Sequence, residues 1–244
     1  MEIQIRQYAS GARQARDMAV VIDVFRAFTV ACVALARGAE KILAVGQVET
    51  ARDLKKRFPE SILIGERHAQ KLPGFDYGNS PSEIQGVDFS GRRVIHTTHA
   101  GTRALTAAAD ARDAITGSFV NAGAVTNYIR ARSPRTVTLI CAGSEGQAPA
   151  LEDTLCAEYL RDQLTGAPTA FEAIRKKLQN SESARRFFDP AQTGSPAADF
   201  GICLDLDRFS FVVRRGGAGP DWCELQAEAA IPPDAPAPHR PDTF

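Results

Sequence analysis

Val20-Val21-Ile22-Asp23-Val24-Phe25-Arg26-Ala27-Phe28-Thr29 decides the reading of the fold. An apolar, β-branched run stops at an acid, passes an arginine and continues into a helical pattern. That is how a strand followed by a helix is written. In open α/β sheets ligands bind beyond the carboxyl ends of the strands, where Asp23 and Arg26 stand. Taken alone, Asp23 is as well read as a helix cap and Arg26 as a solvated residue of the first turn. The functional reading gains weight because the pattern recurs.

Working outward, strands are predicted over Met18–Ile22, Lys41–Val45, Ser61–Gly65, Arg93–His96, Asp113–Thr116 and Thr136–Cys141, with Met1–Gln7 as a short edge strand. Helices are predicted over Ala27–Arg37 (closed by Gly38), Glu49–Phe58, Arg103–Ala109, Asn121–Arg132 and Leu151–Leu164. This alternation specifies an α/β protein with a mainly parallel sheet and helices on both faces. A faint echo pairs Val21-Ile22, Ala27 and Thr29 with Val94-Ile95, Ala100 and Thr102. It leaves room for two α/β subdomains, although the shared pattern of strand–helix units explains it equally well. Beyond about residue 165 the texture changes to short helices at 169–179, 181–188 and 197–204, then a strand at Phe209–Arg214. We expect one α/β domain over 1–230 with its core at 18–165, and a disordered or draped Pro-rich tail at 231–244.

The 244 residues carry 29 basic and 29 acidic side chains. No global field draws such a chain to nucleic acid or an anionic membrane, so an anionic ligand must be held by a local cluster. Cys32, Cys141, Cys156, Cys203 and Cys223 are odd in number and lack zinc-finger spacing. They read as reduced thiols, and with no signal core or membrane-length apolar run the expected location is the cytoplasm. A homodimer is compatible with these totals.

The predicted strand ends carry Asp23 and Arg26, Glu66 and Arg67, Thr98 to Thr102, Ser118, and Gly143 to Gly146 with Glu152 and Asp153. In a parallel sheet such ends share one edge, so these groups are expected in one cleft. Asp23, Glu66, Glu152 and Asp153 form an oxygen set suited to Mg²⁺, although acids also favour first helical turns for the macrodipole alone. Arg26 and Arg67 are forked donors for phosphate, sulfonate or carboxylate, or surface ion-pair partners. Thr98-His99-Ala100-Gly101-Thr102 could cradle an anion or simply cap a helix. His68 and His99 stand at site turns, and Ser118 has no partner base in sequence. The loop 69–81 is long, but its Pro, Gly and aromatic residues argue for order and function. Dinucleotide, Walker, nucleophile-elbow and cysteine-phosphatase motifs are absent from the sequence, as is the D-x-D of haloacid dehalogenase-type phosphatases.

Asp23-Val24-Phe25-Arg26-Ala27, Gly65-Glu66-Arg67, Gly74-Phe75-Asp76-Tyr77-Gly78-Asn79-Ser80-Pro81, Ala100-Gly101-Thr102, Gly117-Ser118-Phe119-Val120-Asn121 and Ala142-Gly143 with Glu152-Asp153 resemble the 2-phosphosulfolactate phosphatase family of coenzyme M biosynthesis. The resemblance covers about residues 18 to 160. It implies an α/β fold and Mg²⁺-dependent hydrolysis of 2-phospho-3-sulfolactate to 3-sulfolactate and phosphate. On that reading Asp23, Glu66 and Asp153 hold the metal, and Asp23, Arg26 and Glu152 are catalytic. Arg67, Asn79, Ser80, Thr98, Gly101, Thr102 and Ser118 bind the small anionic substrate. Direct attack by water and an aspartyl-phosphate on Asp23 both remain open. The alternatives are a phosphatase for another phosphorylated hydroxy acid and a phosphatase-like anion-binding protein.

Overall fold

The computed structural model describes residues 1–167, 169–219 and 221–230. The tail expected at 231–244 lies outside the described residues. One ten-stranded sheet runs through the molecule. Its strands are β1 (Glu2–Gln7), β2 (Met18–Ile22), β3 (Lys41–Val45), β4 (Ile62–Arg67), β5 (Gln70–Lys71), β6 (Arg93–Thr97), β7 (Asp113–Gly117), β8 (Thr136–Cys141), β9 (Phe211–Ala218) and β10 (Trp222–Ala229). The spatial order is β1-β8-β2-β7-β9-β10-β3-β6-β4-β5.

Two parallel blocks are visible in that order. β1, β8, β2 and β7 run one way, and β3, β6 and β4 are parallel to each other. The C-terminal hairpin β9–β10 stands between them. β7 meets β9 antiparallel, β9 meets β10 antiparallel, and β10 meets β3 antiparallel. Three reversals make the second block run opposite to the first. The strand ends therefore do not share one sheet edge, contrary to the sequence-based expectation. The sheet is also continuous, so the two parallel units appear as blocks of one sheet and not as separate subdomains. β10 lies outside the predicted elements, although Cys223, Leu225, Ala227 and Ala229 alternate with Glu224, Gln226 and Glu228 as in a half-buried strand. Its place in mid-sheet is secured by burial of Cys223 and Leu225 and by a Lys41–Glu224 ion pair at 3.1 Å.

The helices are α1 (Tyr8–Ala12), α2 (Ala27–Ala36), α3 (Val48–Arg57), α4 (Pro81–Ile84), α5 (Gly101–Ala107), α6 (Ala122–Arg132), α7 (Leu151–Thr165), α8 (Phe171–Gln179), α9 (Glu182–Phe188) and α10 (Ala197–Cys203). Side chains alternate across each strand, so each strand feeds two cores. Val21, Ile42, Ile64, Val94 and Ile140 pack beneath α2 and α5 on a face common to both blocks. Val20, Ile22, Ile115, Val137 and Leu139 pack against α6, α7 and the C-terminal helices. Leu43, Val45, Leu63 and Ile95 pack against α3. β2 is buried along its whole length, as an interior parallel strand must be. α2 is apolar all round and buried on every side. By contrast α3 buries only Ala51 and Leu54 and ends in Lys55-Lys56-Arg57, which suits the negative end of its dipole. No described helix is long and apolar enough to cross a membrane.

Candidate active site

A cavity of about 780 Å³ is lined by residues that follow strands of both blocks. The first block contributes Asp23 beyond β2, Gly143 to Glu145 beyond β8, and Glu152 and Asp153 in the first turn of α7. The second contributes Glu66 at the end of β4, then His68, and His99 beyond β6. Helix α9 supplies a third wall with Ser181 to Ser183 and Arg186. The four acids expected to converge do so, although they come from strands of opposite direction.

Asp23 Oδ1 accepts a hydrogen bond from the Ala27 N–H at 3.0 Å, so the residue both pins the start of α2 and faces the cavity. Burial, reinforced by Glu66 and Glu152, pushes its pKa up to about 6, against the opposing pull of the Ala27 N–H and Arg186. Gly101 opens α5 directly against this carboxylate; a Cβ there would lie 2.7 Å from Asp23 Oδ2. Glycine is needed at that point because two backbone segments and an acid must meet closely.

Asp153 accepts from Val24 N–H and from Gly143 N–H, both at 2.9 Å, one on each carboxylate oxygen. It thus ties the turn after β2 to the turn after β8. Gly143 reaches it with φ +79°, a conformation in which a side chain would also strike Ala148 O. Burial, with Asp23 and Glu152 nearby, raises the Asp153 pKa, and its two N–H donors work against the rise. Glu66 Oε2 accepts from Ala69 N–H at 2.9 Å. Glu152 Oε2 is buried without a hydrogen-bond partner among the described residues.

Among the described residues these four acids include no three whose ligand atoms all lie within 4.8 Å of one another, so a cation shared by three of them needs side-chain movement. Buried carboxylates crowd one wall, two have raised pKa values, and oxygen valences remain open on Asp23, Glu66 and Glu152. An all-oxygen donor set suits a hard divalent ion such as Mg²⁺. Asp153 spends an acceptor site of each oxygen on the backbone, which weights the direct ligation toward Glu152.

The remaining expected residues stand off the cavity wall. The Arg26 guanidinium is buried and paired with Asp199 at 2.6 Å. Arg67 donates to Glu66 O, to Gly46 O and to Thr97 Oγ1, lacing together the ends of β4, β3 and β6. Asn79 Oδ1 accepts from His96 Nε2 at 3.1 Å. Ser80 caps α4 through Glu83 N–H and donates to Asp199 at 2.9 Å. Both border a separate shallow groove with Glu83 and Pro196. Thr98 and Thr102 bond to each other in a closed turn at the start of α5. Ser118 is fully buried against Thr29 Oγ1 at 3.0 Å and forms a capping box with Asn121. These groups shape the loops behind the acids; none of their polar atoms is left facing the cavity alone.

Two contributions escaped the sequence reading. Arg186 donates to Phe25 O at 2.9 Å, stacks over Phe187 and faces the cavity with its Nε unpartnered. Burial and nearby Arg26 pull its pKa down while Glu152 and Asp23 oppose the fall, and a guanidinium stays charged. Its only sequence signal was a pair of arginines in a short helix. Glu145 bonds to His68 Nδ1 at 2.7 Å across the mouth. It had no signal beyond its place near a predicted strand end.

A family model described as 2-phosphosulpholactate phosphatase matches residues 5–216. A probable 2-phosphosulfolactate phosphatase of Carboxydothermus hydrogenoformans is 39% identical over 197 residues, covering 80% of this chain and 78% of the relative. One of Caldanaerobacter subterraneus subsp. tengcongensis is 40% identical over 212 residues, covering 79% and 85%. One of Bacillus subtilis is 31% identical over 218 residues, covering 88% and 93%.

Proposed function

The chain belongs to the 2-phosphosulpholactate phosphatase family, and from that premise we propose that it is a Mg²⁺-dependent phosphoric monoester hydrolase acting on 2-phospho-3-sulfolactate. The observation that carries this reading is the convergence of Asp23, Glu66, Glu152 and Asp153 with one arginine, Arg186, on a single cavity. A cavity of about 780 Å³ is of the size that holds a small molecule. The proposed substrate bears phosphate, carboxylate and sulfonate, and so needs both a cation held by acids and a fixed guanidinium.

Asp23, Glu66 and Glu152 are proposed to hold Mg²⁺, with Asp153 bound through its backbone partners as the residue that keeps the two turns in place. Bound there, the ion would neutralise developing charge on a phosphoryl group and fix its oxygens. Arg186 supplies a planar, permanently charged donor for a second anionic group. Asp23 stands on the same wall, held rigidly by Ala27. The burial of all five cysteines as free thiols supports a reducing, cytoplasmic location, and the family resemblance supports a role in coenzyme M biosynthesis.

The test is phosphate release from 2-phospho-3-sulfolactate and from a panel of phosphorylated hydroxy acids, with Mg²⁺ and with chelator. Release that is fastest for the sulfonate and lost on chelation is expected. Equal rates in chelator remove the metal from the proposal. Tight anion binding with no release from any member leaves an anion-binding protein instead.

A further inference from the structure

We propose that His68, His99 and Glu145 form a second metal site at the mouth of the same cavity, one for a borderline divalent transition ion of the Zn²⁺ type. Each offers one ligand atom, and the three atoms lie within 4.8 Å of one another. The two imidazole rings stand 5.5 Å apart, edge to face. All three residues line the cavity. The donor set differs in kind from the acids: two imidazoles and one carboxylate select Zn²⁺ and its neighbours, whereas Mg²⁺ takes oxygens.

The ordinary explanation is an exposed ion pair between His68 and Glu145, their side chains 72% and 46% accessible. Such pairs contribute little. It leaves His99 unexplained, because the Nδ1 of that ring is buried and has no hydrogen-bond partner among the described residues. An unpartnered buried nitrogen costs free energy unless a ligand takes it. The pair also leaves the backbone unexplained. His68, Ala69 and Glu145 hold φ values of +53°, +60° and +51°, a left-handed conformation that non-glycine residues adopt at a cost and that gathers at functional sites. His68 and His99 follow strands of the second block and Glu145 follows β8 of the first. An ion shared by them would bridge the blocks at the cavity mouth. Two ligands of one tetrahedral zinc lie roughly 3.3 Å apart, so side-chain shifts of about 1 Å close the site. Three protein ligands leave one position free, which an anionic oxygen of a bound molecule can fill.

The proposal does not depend on the hydrolase reading, and its test is binding. Full-length protein in excess Mg²⁺, which competes for all-oxygen sites, is titrated with Zn²⁺ against a chromophoric chelator, and with Co²⁺ for its visible absorption bands. One Zn²⁺ per chain is expected, with affinity falling tenfold or more in His68→Asn, in His99→Asn and in Glu145→Gln. His68 and Glu145 are exposed, so those two variants stay folded and carry the test if His99→Asn does not fold. Unchanged stoichiometry and affinity in His68→Asn and Glu145→Gln would overturn the site, as would the absence of micromolar Zn²⁺ binding to the wild type.

Discussion

Two buried polar clusters lie close together in this molecule and differ in one respect. Behind the cavity, Asp199 accepts from Arg26 Nη1, Ser80 Oγ and Ser82 N–H at 2.6, 2.9 and 2.9 Å. Both oxygens of Asp199 are taken, Oδ1 by Ser80 and Ser82 and Oδ2 by Arg26. Facing the cavity, Asp23, Glu66, Glu152 and Asp153 stand against one arginine, Arg186; burial raises the carboxyl pKa of Asp23 and of Asp153, and Glu152 Oε2 has no partner among the described residues. Both clusters are made of acids, arginines and hydroxyls. A closed set of partners stabilises a fold, while open valences in a concave wall invite a ligand. The distinction between framework and site therefore lies in hydrogen-bond completeness and not in residue type.

The largest expected effect breaks the closed cluster. Asp199→Asn keeps the volume but leaves the Arg26 charge buried without its counterion. The loss should be about 3–5 kcal/mol of stability, read as a lower urea midpoint at unchanged slope. A loss below about 1 kcal/mol would show that the two clusters are not as different as their contacts indicate. Opening the other side of the comparison, Asp23→Asn should lower kcat/KM by about 10³-fold, roughly 4 kcal/mol of transition-state stabilisation. Its melting temperature should hold or rise, because an acid that burial and neighbouring acids have pushed up to about 6 destabilises the fold when ionised at pH 7. Wild-type turnover in this variant would remove Asp23 from the chemistry.

The smallest effect sharpens the contrast through His96. Its Nε2 is bonded to Asn79 Oδ1, which can only accept, so the ring is neutral with the proton on Nε2. Burial, aided by the Arg67 charge, lowers its pKa to about 4. The unfolded chain, with an ordinary histidine near 6.5, binds the proton first as pH falls. Stability is thus complete above about pH 6.5 and declines toward pH 4. Between pH 7 and pH 5 this one group should cost about 2 kcal/mol. Denaturation of wild type and His96→Gln at both values measures it, and the variant should lose correspondingly less. Parallel pH slopes in the two proteins would refute the assignment.

Much of this architecture was legible from the chain. β2 and β8 are runs of buried β-branched and apolar residues, and α2 is apolar on all sides, so local pattern and tertiary burial agree there. Asp23 follows β2, Glu66 stands at the end of β4, and Glu152 and Asp153 open the helix after β8, and strand ends are where side chains gain a cavity. The reason offered for their meeting was nevertheless incomplete. A common edge was expected, but the hairpin between the blocks reverses the second one. The alternation of Cys223, Leu225, Ala227 and Ala229 with polar residues is that of a strand, but nothing local places it in mid-sheet, because its burial comes from neighbours far away in sequence.

Local pattern by itself determined the α/β class, most of the element boundaries and the acids that line the cavity, since hydrophobic period and turn chemistry act over a few residues. Only the tertiary structure decided which arginine faces the cavity. Arg26 and Arg186 are chemically identical, and each stands in or beside a helix. One pairs with Asp199 across 173 positions of chain; the other meets no acid directly among the described residues and lines the cavity. Partners that distant are chosen by packing, which no local stretch of residues encodes.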